Sequence, residues 1–254
     1  MTFSTSDWNG APAQLRWPRD EVHVWRTTLD WAPASLAGLK QVLSPDERAR
    51  VDRFFFEKDQ RSHLVSRGWL RVLLSRYLDV PADQLAFDYG TYGKPRLAGH
   101  TTLSSHQAPL QFNVSHSGEL VLIAVTADSA LGVDVERIRP DTEAVELAER
   151  YFSIHERAAL AGLPPAQQHG AFFNGWSRKE AFIKACGMGL SMPLDSFDVS
   201  LVPDEPAQLI ATRPDADEAG RWTMRAFDVA EGYKAALVAE GSGWELKLWD
   251  WLAM

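Results

Sequence analysis

Two long helical patterns, each followed by short strand patterns, divide this sequence of 254 residues. The first helix is predicted over residues 59–77, and a strand follows it at residues 85–89. The second is predicted over residues 170–186, with Gly187 as its C-terminal stop, and strands follow it as far as residue 239. Helices and strands therefore follow one another in the same order twice. This order predicts the α+β class and suggests an internal duplication, although no residue-level repeat supports it.

The first half of the chain carries additional local signals. Alternating residues predict a strand over residues 21–29. Ser44, Pro45 and Glu47 form a helix start, in which Ser44 caps the helix and Glu47 completes a capping box. Asp59 is predicted to cap the long helix that follows. The first half is therefore expected to contain a strand and two helices before its next strand.

Composition excludes several classes of protein. The net charge of -8 is unlike that of a general nucleic-acid-binding protein, which carries a basic balance. The longest strongly apolar stretch, residues 120–125, is far shorter than the roughly 20 residues that cross a bilayer, and the N-terminus lacks a signal-peptide pattern. Cys186 is the single cysteine, so no intrachain disulfide can form. These observations predict a cytoplasmic protein that binds neither nucleic acid nor membrane.

Two acidic residues of one predicted strand form a candidate metal site. Within residues 131–138, Asp134 and Glu136 lie two positions apart and are flanked by Val133 and Val135. Because side chains alternate along a strand, both carboxylates point to one face and both valines to the other. Such a pair can bind a magnesium ion that also contacts substrate phosphates. The pattern equally allows an edge strand with a polar face.

A third acidic residue lies in the second long helix. Trp176, Glu180 and Lys184 are spaced four residues apart and share one helix face, with Lys179 about 100° away around the axis. Glu180 is a candidate for a third metal ligand or a general base, and the two lysines are candidates for phosphate binding. The alternative is a solvated helix face with a Glu–Lys pair.

Two further groups are candidates for phosphate binding. Ser115 and His116 follow an apolar strand and precede Gly118, so a hydroxyl, an imidazole and turn amides come together. They do not indicate a serine hydrolase, because the chain lacks a Gly-x-Ser-x-Gly elbow and adjacent strand residues face opposite ways. The second group has two interpretations. It is a surface that binds phosphates or an acidic partner, or it is a solvated face in which acidic residues are interleaved with the basic ones. It consists of Arg48, Arg50, Arg53, Lys58 and Arg61.

Taken in order, these segments resemble the Sfp-type 4′-phosphopantetheinyl transferases. The similarity covers most of residues 21–200. It rests on five motifs, which are Tyr92-Gly93-Lys94-Pro95 and residues 112–118, 132–136, 151–153 and 176–184. The chain departs from the family pattern at two places. Glu47 stands where some relatives have a lysine, and Ser62, beside Arg61, stands where the family often has an arginine.

The resemblance implies a fold of two similar α+β halves in a pseudo-two-fold arrangement. The halves would be residues 1–126 and 127–254, with coenzyme A as co-substrate in the cleft between them. A magnesium ion on the coenzyme A pyrophosphate would be bound by Asp134, Glu136 and Glu180. The residues expected to contact coenzyme A are Arg50, Arg53, Lys94, Pro95, Ser115, His116, Lys179 and Lys184.

The resemblance also implies an activity. The enzyme would transfer the 4′-phosphopantetheine group of coenzyme A to a serine of an apo acyl or peptidyl carrier protein, releasing adenosine 3′,5′-bisphosphate. Glu180, directly or through a metal-bound water, is the expected base, and Lys184 is the second expected catalytic residue. Carriers of this class are acidic around their serine, and Arg67, Arg71 and Arg76 are either contacts for them or a solvated helix face. A monomer is expected, because two halves of one chain would complete the site.

Two other functions remain open from the residues alone. A magnesium-dependent phosphoryl-handling enzyme, such as a nucleotide hydrolase, would use the same carboxylates without a carrier. A non-catalytic nucleotide sensor would share the scaffold, although the intact acidic residues and Lys184 argue against it. Coenzyme A consumption that depends strictly on added apo-carrier would distinguish the transferase from both.

Overall fold

The chain forms two compact units, which a computed structural model describes over residues 4–99, 109–127 and 129–251. The N-terminal unit consists of Trp8–Gly90, Pro95–Asp128 and Glu245–Met254. The C-terminal unit consists of Met1–Asp7, Thr91–Lys94 and Ser129–Trp244. The units therefore differ from a single division between residues 126 and 127, because the last residues of the chain and the segment Thr91–Lys94 each join the unit of the other half.

The N-terminal unit is built around the long helix α3 and the larger sheet. Its elements are β1 (Asn9–Gly10), β2 (Glu21–Thr28), α1 (Pro33–Val42), α2 (Pro45–Asp52), α3 (Glu57–Leu78), β3 (Phe87–Tyr89), β4 (Pro95–Leu97), β5 (Leu110–Ser117) and β6 (Leu120–Ala127). Helix α3 shares one apolar core with this sheet, in which Trp25, Trp69 and Ile123 are fully buried. Burial of these large side chains supplies most of the driving force for packing the helix on the sheet.

The C-terminal unit is built around the long helix α6 and the smaller sheet. Its elements are β7 (Leu131–Arg137), α4 (Ala144–Tyr151), α5 (Ile154–Ala161), α6 (Pro165–Cys186), β8 (Phe197–Val199), β9 (Leu209–Thr212), β10 (Trp222–Ala226) and β11 (Tyr233–Glu240). The next strand, β12 (Glu245–Asp250), pairs in parallel with β2. An ion pair of 2.6 Å between Arg26 and Asp250 supports this pairing. The end of the chain therefore belongs to the N-terminal unit.

The two units share one topology. Among the described residues, each has a strand, three α-helices, a two-stranded hairpin and two further strands in the same order. Strands β2, β6 and β5 are adjacent and antiparallel in that order, and so are β7, β11 and β10. Strands β12 and β1 extend the sheet beyond β2 in the N-terminal unit. The α+β class is confirmed, and the repeated order of elements extends to the pairing of the strands.

A capping box begins α2, as predicted. The hydroxyl of Ser44 accepts a hydrogen bond from the backbone N–H of Glu47, and the Glu47 carboxylate accepts one from the N–H of Ser44. The same buried carboxylate forms an ion pair of 2.6 Å with Arg71 of α3. Arg71 also donates to the carbonyl oxygens of Ala82 and Leu85, in the turn that follows α3. Glu47 thereby joins the start of one helix to the middle of another.

The C-terminal unit repeats this arrangement with different residues. Ser153 and Glu156 form the capping box of α5, and the buried Glu156 carboxylate forms an ion pair of 2.8 Å with Lys179 of α6. Lys179 donates to the carbonyl oxygens of Leu194 and Phe197, again in the turn that follows the long helix. Like Arg71 in α3, Lys179 lies fourteen residues after the first residue of its 22-residue helix. The duplication therefore includes this set of interactions. A comparison of residue identities does not reveal it, because the C-terminal unit has a lysine where the N-terminal unit has an arginine.

Replacing Lys179 by methionine is expected to destabilise the protein by about 3–5 kcal/mol, because the Glu156 carboxylate would stay buried without its cation. Urea unfolding measures this change. The matched control is Lys40→Met, which breaks an exposed pair with Asp52 and should cost less than about 1 kcal/mol. Equal midpoints for the two variants would contradict the role given to Lys179.

Some predicted boundaries are wrong. Helix α3 begins at Glu57 with Phe56 as its N-cap residue and no side-chain cap, so Asp59 lies in the first turn and does not cap the helix. The sequence pattern does not predict α1 or β12, and β12 gains its place through long-range pairing with β2. Within the described residues, no helix is both long and apolar enough to span a membrane.

Candidate active site

A close crossing of β7 and α6 positions one group of candidate residues. A Cβ atom at Gly132 would lie 2.2 Å from the carbonyl oxygen of Ala181 and 2.3 Å from the backbone nitrogen of Ala185. Real Cβ contacts are never this short, so only glycine permits the crossing. Two residues further along β7, Asp134 points to the same face of the strand as Gly132, toward α6.

Asp134 and Lys184 meet at this crossing. The Lys184 ammonium donates to Oδ1 of Asp134 at 2.6 Å. The Asp134 side chain is 3% exposed and the Lys184 side chain 27% exposed, so the carboxylate is buried while the ammonium reaches the surface. Burial and the negative charge of Asp134 raise the pKa of Glu180, and the positive charge of Lys184 partly opposes this. Asp134, Glu180 and Lys184 therefore form one electrostatic cluster.

Glu136 lies on the same face of β7 as Asp134, two residues away, and is half-buried. It lies opposite Lys234 of β11, as Asp134 lies opposite Ala236. Among the residues that the structure describes, no group of three or more His, Cys, Asp or Glu is arranged to hold a metal ion. The donor chemistry nevertheless fits magnesium, because the cluster supplies hard carboxylate oxygens that repel one another.

Lys179 occupies a different position from the one expected of a phosphate ligand. Its side chain is fully buried, and its ammonium group has three acceptors, the Glu156 carboxylate and two backbone carbonyls. An ammonium has three hydrogens to donate, so this set uses all of them. Lys179 therefore stabilises the helix packing and is not available to coenzyme A in this arrangement.

Lys94 is also held by backbone carbonyl groups. It donates to the carbonyl oxygens of Leu131 at 2.9 Å, Lys184 at 2.7 Å and Ala185 at 3.3 Å. The last two are carbonyls of the final turn of α6, which have no partner within the helix itself. Burial lowers the pKa of Lys94 to about 8. Lys94 thus joins β7 to the end of α6, while the neighbouring Pro95 begins β4.

The second group of candidate residues lies in the N-terminal unit. Ser115 is buried and His116 is exposed, which agrees with adjacent residues of a strand facing opposite ways. Nδ1 of His116 is 3.2 Å from the hydroxyl of Ser62. Ser62, which stands at the position where the family often has arginine, therefore contacts a predicted site residue. Arg61 beside it instead donates to backbone carbonyls, including that of Leu29.

Sequence reasoning missed His63, which lies among several cationic or titratable groups. Burial and the nearby groups Arg50, Arg67 and His116 lower its pKa to about 4. Burial is the largest of these causes, and the positive charges of Arg50 and Arg67 add a smaller effect of the kind that favours anions, while Glu47 opposes it. Helical spacing offers a signal for it, because His63 and Arg67 are four residues apart on α3.

The predicted arginines differ in accessibility. Arg50 and Arg53 are exposed at the C-terminal end of α2, where they can meet a ligand. Arg67 and Arg71 both bind the Glu47 carboxylate, at 2.9 Å and 2.6 Å, and Arg71 is 2% exposed. Arg71 is therefore excluded as a carrier contact, since its guanidinium is inside the protein.

The lowered pKa of His63 predicts a loss of stability in mild acid. Between pH 6.5 and about 4 the unfolded chain binds a proton at His63 that the folded chain does not, so stability falls as the pH falls through this window. After allowance for solvent screening, the loss should be about 1 kcal/mol. Urea unfolding of wild type and His63→Gln at pH 7 and pH 4.5 measures it. Parallel losses in the two proteins would contradict the prediction.

Comparisons with known proteins identify the family. A family model described as 4′-phosphopantetheinyl transferase, N-terminal, matches residues 29–128, and one described as the 4′-phosphopantetheinyl transferase superfamily matches residues 130–238. The 4′-phosphopantetheinyl transferase HetI of Nostoc sp. is 37% identical over 96% of this chain and 98% of its own length. The transferase Sfp of Bacillus subtilis is 32% identical over 78% of this chain and 82% of its own length.

A solved holo-[acyl-carrier-protein] synthase of Thermotoga maritima aligns with 44% of this chain and 63% of its own, at 20% identity and a TM-score of 0.36. The family assignment does not depend on it, because the two family models cover most of the chain and HetI aligns over nearly its whole length. The family predicted from the five motifs is confirmed. The chain belongs to the 4′-phosphopantetheinyl transferase superfamily.

Proposed function

We propose that this protein transfers the 4′-phosphopantetheine group of coenzyme A to a serine of an apo carrier protein, with chemistry at the cluster of Asp134, Glu180 and Lys184. Membership of the superfamily supports the proposed transfer reaction. The observation that carries the residue assignment is the 2.6 Å contact between Asp134 and Lys184 beside a carboxyl group of raised pKa. Perturbed titratable groups of this kind are typical of active sites.

Magnesium would be held by Asp134, Glu136 and Glu180. In support, Asp134 and Glu136 share one face of β7, and the charge of Asp134 raises the pKa of Glu180. A divalent cation would relieve the repulsion between these carboxylates. When bound, the ion would offset the negative charge that develops on the pyrophosphate oxygens.

Lys184 and Glu180 would act directly on the reacting groups. The partly exposed Lys184 ammonium can donate to a phosphate oxygen and so stabilise the charge of the transition state. The carrier serine attacks the β-phosphorus, and the bond from that phosphorus to the oxygen shared with adenosine 3′,5′-bisphosphate breaks. Glu180 would accept the serine proton while its carboxylate is not bound to the metal, because a metal-bound carboxylate is a weaker base and the two roles compete.

The phosphates of the nucleotide portion would be bound by the cationic group of the N-terminal unit. Arg50 and Arg53 are exposed, and after burial the charge of Arg50 contributes to the lowered pKa of His63. Lys94 and Lys179 are left out of this ligand set, because their ammonium groups already have three acceptors each. Ser115 and Pro95 remain predicted contacts of coenzyme A.

The carrier is proposed to be an acidic acyl or peptidyl carrier protein, bound by the protein as a monomer. Of the three arginines considered for this contact, Arg76 has the most suitable position. It is exposed at the end of α3, where its guanidinium lies 4.3 Å from the centre of the Trp251 ring. Arg67 and Arg71 are occupied by Glu47.

Intact-mass spectrometry of an apo-carrier tests the proposed function. After incubation with the protein, coenzyme A and magnesium, the carrier should gain about 340 Da, and a chelator should abolish the gain if a metal-assisted site is used. Acyl and peptidyl carriers tested side by side identify the preferred class. Coenzyme A breakdown without a carrier would favour a hydrolase. Coenzyme A binding without modification of any carrier would favour a sensor.

A further inference from the structure

Arg178 of α6 is a buried cation without a carboxylate partner. It is 4% exposed, and its Nη1 donates to the carbonyl oxygen and the hydroxyl of Ser200 at 2.6 Å and 3.1 Å. Its Nε is buried and makes no hydrogen bond. The guanidinium forms no ion pair within the described residues, and Glu205 influences it only from a longer distance. The transfer chemistry proposed above makes no use of this residue.

An uncompensated charge in this position destabilises a protein. Burial lowers the pKa of Arg178 to about 10, so the guanidinium is still charged at neutral pH. Buried charges in proteins are normally paired, because removing them from water costs stability. The side chain therefore needs a counter-charge that none of the described residues supplies at contact distance.

A cavity of about 210 Å³ lies beside Arg178. It is far larger than the roughly 10–15 Å³ that one water needs. Buried Asn174 and Ser177 of α6 line it, and half-buried Lys234 of β11 adds a second positive charge. The exposed charged residues of its lining are Asp204, Glu205, Arg225 and Asp228. The inner part of the lining is therefore cationic, while three acids and one further cation lie at the surface.

The free Nη2 group of the guanidinium defines the type of ligand. Both contacts to Ser200 come from Nη1, and Nε is fully buried, so Nη2 is the nitrogen that can face the cavity without a hydrogen bond within the described structure. Its N–H groups can donate to an oxygen of a carboxylate or of a phosphate. Because the lining has three acidic and three cationic side chains, it favours a singly charged anion over multiply charged ones such as coenzyme A. We propose that the cavity is a binding site for a small monoanionic oxyanion, a carboxylate in the first instance, held by Arg178 and Lys234.

Thermal unfolding of the full-length protein in acetate, phosphate and chloride at equal ionic strength tests this site. Acetate should raise the temperature midpoint of unfolding with the logarithm of its concentration above the dissociation constant, by several degrees at about one hundred times that constant, and chloride should not. A larger response to phosphate than to acetate, lost in Arg178→Met, would overturn the assignment to a singly charged ligand, because phosphate is largely dianionic at neutral pH. Equal effects of all three salts, or none, would overturn the proposal.

Two variants assign the response to the cavity. Arg178→Met should lose the acetate response, whereas Arg96→Met, which removes an exposed arginine of β4, should keep it. An unchanged response in Arg178→Met would overturn the proposal. If that variant fails to fold, Lys234→Met provides the test. Loss of the second cation should raise the dissociation constant for acetate, obtained from the thermal shifts, by at least about fivefold. An unchanged dissociation constant in Lys234→Met would then overturn the proposal.

Discussion

Replacing Asp134 by asparagine is expected to lower the rate of carrier modification by about 10²- to 10³-fold. The carboxylate is a proposed metal ligand, and loss of metal-assisted charge stabilisation costs several kcal/mol of transition-state energy, where each tenfold in rate corresponds to about 1.4 kcal/mol. Asparagine keeps the shape and can still accept from Lys184, so the fold should remain. The measurement is the initial rate of mass gain by an apo-carrier over a range of magnesium concentrations.

The magnesium titration distinguishes the metal role from a general loss of structure. If Asp134 binds the ion, Asp134→Asn should need more magnesium for half-maximal rate than wild type. Asp141→Asn, which changes an exposed aspartate outside both groups of candidate residues, should behave as wild type. A wild-type rate for Asp134→Asn at ordinary magnesium would remove Asp134 from the site.

Gly132→Ala is expected to lower the thermal midpoint by about 6–12 °C or to prevent folding. The added Cβ would meet the backbone of α6 at 2.2 Å and 2.3 Å, and backbone cannot move aside as a side chain can. Overpacking of this kind costs about 3 kcal/mol or more, and about 1 kcal/mol shifts the midpoint by 2–4 °C in a protein of this size. Circular dichroism during heating measures the change.

Gly170→Ala is the matched control for this variant. Gly170 lies in α6 itself, and an added Cβ would meet nothing within 4 Å. Alanine in a helix is better than glycine by up to about 1 kcal/mol, so this variant should be as stable as wild type or more stable. If both variants unfold at the wild-type midpoint, the close crossing of β7 and α6 is not as tight as described.

Local rules account for much of what the sequence predicted. The capping box at Ser44 and Glu47 and the helix stop at Gly187, with a φ of 69°, depend on residues within a few positions of one another. The period of two along β7 likewise placed Asp134 and Glu136 on one face. Such features need only the geometry of a single helix or strand, so the amino-acid pattern contains them.

Long-range contacts decided the roles of the lysines. The family resemblance assigns Lys94 and Lys179 to coenzyme A, because both lie in motifs on which that resemblance rests. In the fold, Lys94 meets carbonyls 37, 90 and 91 positions away, and Lys179 meets Glu156 and two carbonyls of a later turn. A local pattern can say which face of an element a side chain occupies, but it cannot say which backbone groups will cover that face.

The sequence by itself determined the family, the α+β class, the repeated order of helices and strands, and the acidic residues of the candidate metal site. Only the tertiary structure decided which charges are already satisfied. It placed Glu47 between Arg67 and Arg71, partly buried His63 near Arg50, and left Arg178 buried without a carboxylate partner among the described residues. The physical reason is that the energy of a charge depends on burial and on partners distant in sequence, and folding alone sets both.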